Sequence, residues 1–386
     1  MRTSNLTYPA RCQRCVLEID TSYVVSNKDG ICSVCIQSDE IRHDFGTGLE
    51  LGISKFEHLV QKMKKHGRNR KYDCILGVSG GTDSSFLVHL LTREFDLRVL
   101  AVHYDNTWNS AIATTNIALL LRSGKIDLHT HVVNNHEADD IFRAFFFAGV
   151  AEIEASTDLG YAYVLRKVAK KYGIKFLIEG HSFIEEGITP LSNNYFDGRY
   201  IQGVHQQYGS IPLRTYPLMT FPRFVSALIF HPVVFVRPLW YLNYSKSAAQ
   251  EMLSQTYGWQ YYGGHHLENR MTAFYHTIYL PQKFCVDMRI NSIAAQVRNG
   301  LMNRDLGIQK LTESPTGEKG LVNYFCKRLK ISSEDFNRIM LEVPKSWKQY
   351  PNDKAKFELW EPFFRIMAKH ERVPMSFYLK YCKGKI

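Results

Sequence analysis

The sequence predicts an α/β protein built on a parallel sheet, and three observations carry that prediction. Between residue 72 and about residue 180, short apolar runs alternate with helical ones, the pattern of a parallel sheet covered by helices on both faces. A glycine- and serine-rich loop stands between the first strand and the helix that follows it. Apolar residues make up 45% and aromatic residues 13% of the 386-residue chain. That is enough for a packed core and is the opposite of a disordered composition.

The elements follow in order. Residues 1–45 are set apart by Cys12-x-x-Cys15 and Cys32-x-x-Cys35, two knuckles with 16 residues between them. Four thiolates at this spacing suit a zinc ribbon, closed and structural because all four ligand positions are filled. A disulfide pair or an iron–sulfur cluster is the competing reading. Cys74, Cys285, Cys326 and Cys382 are scattered, unlike a secreted disulfide framework, so a reducing cytoplasm is expected. Met1 to Ala10 has no apolar stretch of the signal-peptide kind.

Ile53 to Met63 has helical apolar spacing and runs into the basic stretch Lys62 to Lys71. Strands are then expected at Cys74 to Val78, Leu97 to His103, Leu128 to Val133 and Lys175 to Ile178. Helices are expected at Asp83 to Thr92, Thr114 to Arg122 and Leu159 to Tyr172. Pro217 to Leu242 is apolar but is broken by Pro222, Pro232 and Pro238 and by Arg223, His231 and Arg237, so it does not suit a membrane span. It reads as two short buried helices or a hydrophobic lobe, the alternative being a surface that grips a membrane or a lipid-linked substrate. From about residue 245 the chain reads as mostly helix. The division is therefore 1–45, 46–210 and 211–386.

Chemistry is concentrated at Ser79-Gly80-Gly81-Thr82-Asp83-Ser84-Ser85. Paired glycines let the backbone approach an anion, and a helix starting near Asp83 aims free N–H groups and its positive dipole end at the same place. Asp83 suits magnesium beside a polyphosphate. The Gly-Lys-Ser/Thr ending of a Walker loop is absent. His103 and Asp105 follow the second strand, where Asp105 serves a ribose or simply shapes its loop. His181, Glu185 and Glu186 follow the last strand, placed to hold metal or substrate. The net charge of +11 favours an anionic partner without choosing among nucleotide, sugar nucleotide and nucleic acid.

The heptapeptide resembles the PP-loop of the N-type ATP pyrophosphatases. That resemblance implies a Rossmann-like, adenine nucleotide alpha hydrolase-like domain that cleaves ATP between its α and β phosphates. Further on stand Trp259, Tyr262-Gly263-Gly264, His266-x-Glu268, Thr272-x-Phe274, Leu280-Pro281-x-Lys283-Phe284 and Asp287-x-Arg289. With the knuckles and the loop, this series resembles the N-acetyl sugar amidotransferase family of bacterial surface-polysaccharide (LPS O-antigen) biosynthesis. The resemblance implies an ATP- and magnesium-dependent carbon–nitrogen ligase that turns an acetamido group into an acetamidino group. It also implies ammonia from partner glutaminase and cyclase-like subunits, with His266, Glu268 and Arg270 at the reaction centre. Asp83 and His181 complete the catalytic set, and Ser79, Gly80, Gly81, Ser84 and Ser85 the phosphate set. Where the family pattern has lysine after the two glycines, this chain has His265. No stable nucleic acid is expected; the rival reading is a tRNA-modifying PP-loop thiolase or lysidine-type ligase.

Overall fold

The computed structural model describes residues 10–19, 21, 24–122, 126–188, 195–264 and 267–383. Its centre is a five-stranded parallel sheet in the order β3-β2-β1-β4-β5. The strands are β1 (Cys74–Gly77), β2 (Val99–Asp105), β3 (Asp127–Val132), β4 (Phe176–Ile178) and β5 (Val234–Val236). Alternate strand residues serve opposite cores, because side chains along a strand point to opposite faces. Ile75, Leu100, Val102 and Leu177 enter one core, while Cys74, Leu76, Val99, Ala101 and Ile178 enter the other. With both faces covered, β1, β4 and β5 read as short apolar runs, whereas β3 at the edge mixes polar and apolar residues.

The helices meant by the alternating pattern are α3 (Thr82–His89), continued by a π-helical turn at Leu90–Glu94, then α4 (Ala111–Leu121) and α6 (Ala155–Tyr172). Ahead of the sheet lie α1 (Ser33–Phe45) and α2 (Glu50–Gly67). Several elements depart from the sequence expectation, among them α1 and α7 (Gly198–Tyr208), which were not foreseen. Helix α5 (Asn135–Ala148) was not foreseen; its Ile141, Phe142, Phe145 and Phe146 are fully buried in the larger core. Its first half, Asn135 to Asp140, is mostly polar, which leaves a short apolar run rather than a long helical stripe. The apolar stretch Pro217 to Leu242 is not two helices. It forms α8 (Phe221–Phe230), then β5, then a 3-10 turn at Pro238–Trp240, Pro222 and Pro238 sitting at the first turns where the ring is tolerated. The sheet thus takes its edge strand from beyond residue 210. No helix among the described residues is long and apolar enough to cross a membrane.

Past the sheet the chain is helical, as expected, from α9 (Lys246–Tyr257) through α10 (Arg270–Phe274) and α11 (Leu280–Phe284) to the short helix Met375–Tyr381. Chain order moves outward from β1 to β2 and β3, then returns to β4 on the other side of β1. The loops after β1 and β4 therefore flank the place where strand order reverses, the crevice in which such sheets bind ligands.

Candidate active site

The loop after β1 carries the sharpest geometry. Gly80 has φ of +81°, and a Cβ there would come within 2.3 Å of the Ala113 carbonyl oxygen on α4, so conformation and space both require glycine. Gly81 is the N-cap of α3. Ser84 Oγ donates to the Gly81 carbonyl at 3.3 Å and accepts from Ser79 N at 3.4 Å. The loop thus wraps the helix N-terminus, with Gly81 N donating to Ser79 Oγ at 3.2 Å, and the positive end of a helix suits an anion. Ser85 is fully buried, its hydroxyl without a hydrogen-bond partner among the described residues, so it faces the interior rather than the crevice.

A distant segment closes over this loop. Trp259 Nε1 donates to the Gly80 carbonyl at 3.2 Å, and Asn116 Nδ2 on α4 donates to the same oxygen at 3.2 Å and to Gln260 O at 2.9 Å. The Tyr262 hydroxyl accepts from Thr82 N at 3.3 Å. Glu268 is buried, and its Oε1 accepts from Ser79 Oγ at 3.2 Å and lies 2.9 Å from where a Gly81 Cβ would stand. Glu268 is brought there by lacing between two loops. Ser110 N donates to Glu268 O, Arg270 N donates to Trp108 O, both at 2.8 Å, and Asn269 Nδ2 donates to Asn106 Oδ1 at 2.8 Å.

On the other side, Asp83 meets a lysine that the sequence did not single out. Lys246 Nζ lies 2.8 Å from Asp83 and 3.3 Å from Glu186, and the Tyr244 hydroxyl also donates to Asp83. Burial is the largest influence on Asp83 and pushes its carboxyl up, with Lys246 pulling against it. The two carboxylates hold Lys246 above its usual range in spite of its burial. Oxygen donors of this kind suit magnesium, and the ammonium already bridges the two that would hold it.

The remaining expected residues divide. His181 has both ring nitrogens engaged: Nδ1 accepts from Trp240 Nε1 at 3.3 Å and Nε2 donates to Gly187 O at 2.9 Å. It lines a cavity of about 380 Å³ together with Glu152, Thr157, Glu186, Thr272 and Asn291, and Glu186 joins that cavity to Lys246. His103 is buried between the Val78 carbonyl (2.9 Å) and Asn109 (3.2 Å). Asp105 accepts from Thr107 N and Asn109 Nδ2 at 2.7 and 2.9 Å. Both brace their loop, His103 through both ring nitrogens and Asp105 through Oδ1. The Arg270 guanidinium pairs with Glu318 at 2.9 Å and stacks on Tyr324, rather than meeting the phosphate loop. His266 lies outside the described residues. Lys246, Tyr244 and Glu152 carried no motif; a single lysine after a serine N-cap looks like any helix start.

The four N-terminal cysteines converge. Their sulfurs all lie within 4.8 Å of one another, with Cys12–Cys35 at 3.8 Å and Cys15–Cys32 at 3.7 Å. A tetrahedral ion with bonds of about 2.3 Å to sulfur needs edges of about 3.8 Å, whereas a disulfide would need about 2.05 Å. Hydrogen bonding among the sulfurs pulls Cys32 below the usual thiol range and pushes Cys15 above it, so the thiols act as one coupled group. The backbone N–H groups of Arg14 and Cys32 donate to Cys12 Sγ at 3.4 and 3.3 Å. The cluster fits a single metal ion.

Comparison with known proteins adds the following. A protein of Methanocaldococcus jannaschii called "Uncharacterized protein MJ1599" is 30% identical over 173 residues, a match covering 44% of this chain and 58% of that protein. Among solved structures, NMN synthetase from Francisella tularensis is similar at a TM-score of 0.34 and 13% identity over 73% of this chain and 95% of its own. The NH3-dependent NAD synthetase from Campylobacter jejuni gives 0.31 and 12% over 75% and 96%. The U34-tRNA thiolase NcsA from Methanococcus maripaludis gives 0.32 and 14% over 84% and 90%. Residues 268–367 match the family model described as "LPS biosynthesis protein WbpG-like, C-terminal domain". Over that stretch, which begins at the glutamate resting on the phosphate loop, this chain is similar to the C-terminal domain of WbpG-like lipopolysaccharide biosynthesis proteins.

Proposed function

We propose that this chain is an ATP-dependent amidotransferase of surface-polysaccharide biosynthesis, acting on an N-acetylated sugar. The observation that carries the reading is the glycine- and serine-rich loop at the sheet's reversal point, on which Glu268, the first residue of the lipopolysaccharide-associated match, rests through Ser79. The acetamido oxygen attacks the α phosphorus of ATP, the α–β bridge breaks and pyrophosphate leaves. Ammonia then adds to the activated carbon, a proton is lost and the C–O bond to AMP breaks. An amide oxygen leaves poorly, while a phosphate ester leaves well.

The Gly80 and Gly81 backbone, Ser79 and Ser84 receive the phosphates, and Lys246 supplies the lysine that position 265 lacks. A polyphosphate draws Lys246 off Asp83 and frees Asp83 and Glu186 for magnesium, which when bound neutralises charge on the departing pyrophosphate. Glu268 yields its place on Ser79 to phosphate and turns to the sugar or the incoming ammonia. The cavity beside His181 takes the sugar. Zinc in the four-cysteine cluster serves structure. The ammonia source is a glutaminase with a cyclase-like subunit, and the protein works in the cytoplasm.

Sulfur chemistry fits less well. Among the described residues no second cysteine cluster stands near the loop, and burial pushes the Cys74 thiol up, which makes it inert.

The test is AMP and pyrophosphate release from ATP with magnesium and ammonium chloride. UDP-linked and nine-carbon diacetamido sugars are compared with bulk tRNA, and Asp83→Ala is the control. The expected result is sugar-dependent release, a product lighter by the difference between O and NH, and loss of both in the variant. Release stimulated by tRNA alone would overturn the substrate.

A further inference from the structure

Helix α12 (Arg289–Arg298) touches both the cysteine cluster and the cleft. At its C-terminal end Arg298 is buried, its Nε donating to Cys35 Sγ at 3.1 Å and its Nη2 reaching Cys15 Sγ at 3.9 Å. Its Nη1 is buried with no hydrogen-bond partner among the described residues. Next to it, Gln296 Nε2 donates to Glu185 Oε2 at 3.3 Å, and Asn299 Nδ2 donates to Ile184 O at 3.1 Å. The helix also packs so closely on Gly187 that a Cβ there would come 2.5 Å from Asn291 O. Glu185 extends the line, since its Oε1 accepts from Lys246 N at 2.7 Å. Lys246 Nζ ends it at Asp83 and Glu186.

A buried guanidinium is costly unless a negative group faces it. Here the facing atoms are two cysteine sulfurs, which carry fixed negative charge while a metal ion holds them. Arg304, on the helix that follows (Arg304–Thr312), donates to the Cys12 and Cys15 carbonyls at 3.1 and 3.2 Å, and Ile293 and Val297 of α12 share the cysteines' apolar cluster. The ribbon is therefore docked through this helix pair.

We propose that Arg298 is a positioning residue that ties the metal-holding cysteine cluster to the phosphate loop through Gln296, Glu185 and Lys246. Only the nucleotide-binding readout of this idea rests on the function proposed above. The full chain is compared as wild type, Gln296→Leu, Arg298→Met and the double variant. Three quantities are measured: metal content, hydrogen exchange at residues 182–188 and 244–250, and affinity for ATP with magnesium.

Gln296→Leu is expected to keep its metal while exchange in both segments quickens and the ATP Kd rises, each by roughly three- to thirtyfold. Arg298→Met adds faster loss of metal to a chelator, and the double variant binds ATP no worse than Arg298→Met alone, because the two residues share one path. Unchanged exchange in Gln296→Leu, or effects that simply multiply in the double variant, would overturn the coupling. Altered exchange in a protein that binds no ATP in any form would uphold the coupling and sink the nucleotide reading instead. Should Arg298→Met not fold, Gln296→Leu decides alone.

Discussion

Glu152 sits in the wall of the candidate sugar cavity with the Tyr200 hydroxyl donating to it at 3.0 Å. Burial, the largest influence, pushes its carboxyl up to about 7, and Tyr200 pulls back only in part. The unfolded chain loses this proton near its ordinary 4.5, while the folded chain keeps it to about 7. Between those values the folded state binds more protons, so stability falls as pH rises, by about 3 kcal/mol once pH passes the folded value. Glu152→Gln should remove that slope. Melting temperatures of the two proteins should converge near pH 4.5, with the variant increasingly ahead toward pH 8. Parallel curves would mean that the carboxylate is ionised in the fold. Nothing in the sequence marks Glu152, since its character comes from Tyr200 and from burial among residues far away in the chain. Asp83 is the contrary case: its motif named it, but only the fold supplied Lys246.

At the scale of elements, the loop after β1 and the segment from Trp259 to Arg270 work as one unit. The first was legible because a strand, two glycines and a helix start in seven residues leave few other uses. The second was legible only as a cluster of polar and aromatic groups. Its contact with the loop depends on Asn116, Ser110 and Asn269, ordinary residues with no motif. Trp259→Phe keeps the apolar ring but removes a donor from Gly80 O, which retains Asn116. The expected cost is about 1 kcal/mol of stability, seen as a lower melting temperature, with weaker ATP binding in the same protein. Unaltered ATP affinity would show that the cover does not shape the loop.

At the scale of the molecule, the larger core ignores the division drawn at residue 210. Tyr72 and Ile75, the aromatic face of α5, Phe274 and Phe325 all belong to one buried cluster. Phe274 and Phe325 stack with centroids 3.7 Å apart, and Phe325 reaches Phe146 at 5.3 Å. Arg328 binds Asp139 at 2.9 Å and Thr107 O at 2.6 Å from the same helix, Leu321–Leu329. A fragment of residues 46–210 lacks that helix and β5, so it is expected to show no cooperative melt or dispersed amide spectrum. A well-folded fragment would restore the boundary as a real one.

The sequence by itself determined the parallel α/β class, the glycine- and serine-rich loop between the first strand and the next helix, and the four-cysteine cluster. Each rests on local rules: strand and helix periodicity, the dihedral freedom of glycine, and ligand spacing within a short stretch. The tertiary structure alone decided which lysine meets Asp83, which glutamate rests on Ser79, and that His103 and Asp105 brace a loop. Those outcomes depend on burial and on contacts between residues far apart in the chain, about which local spacing carries no information.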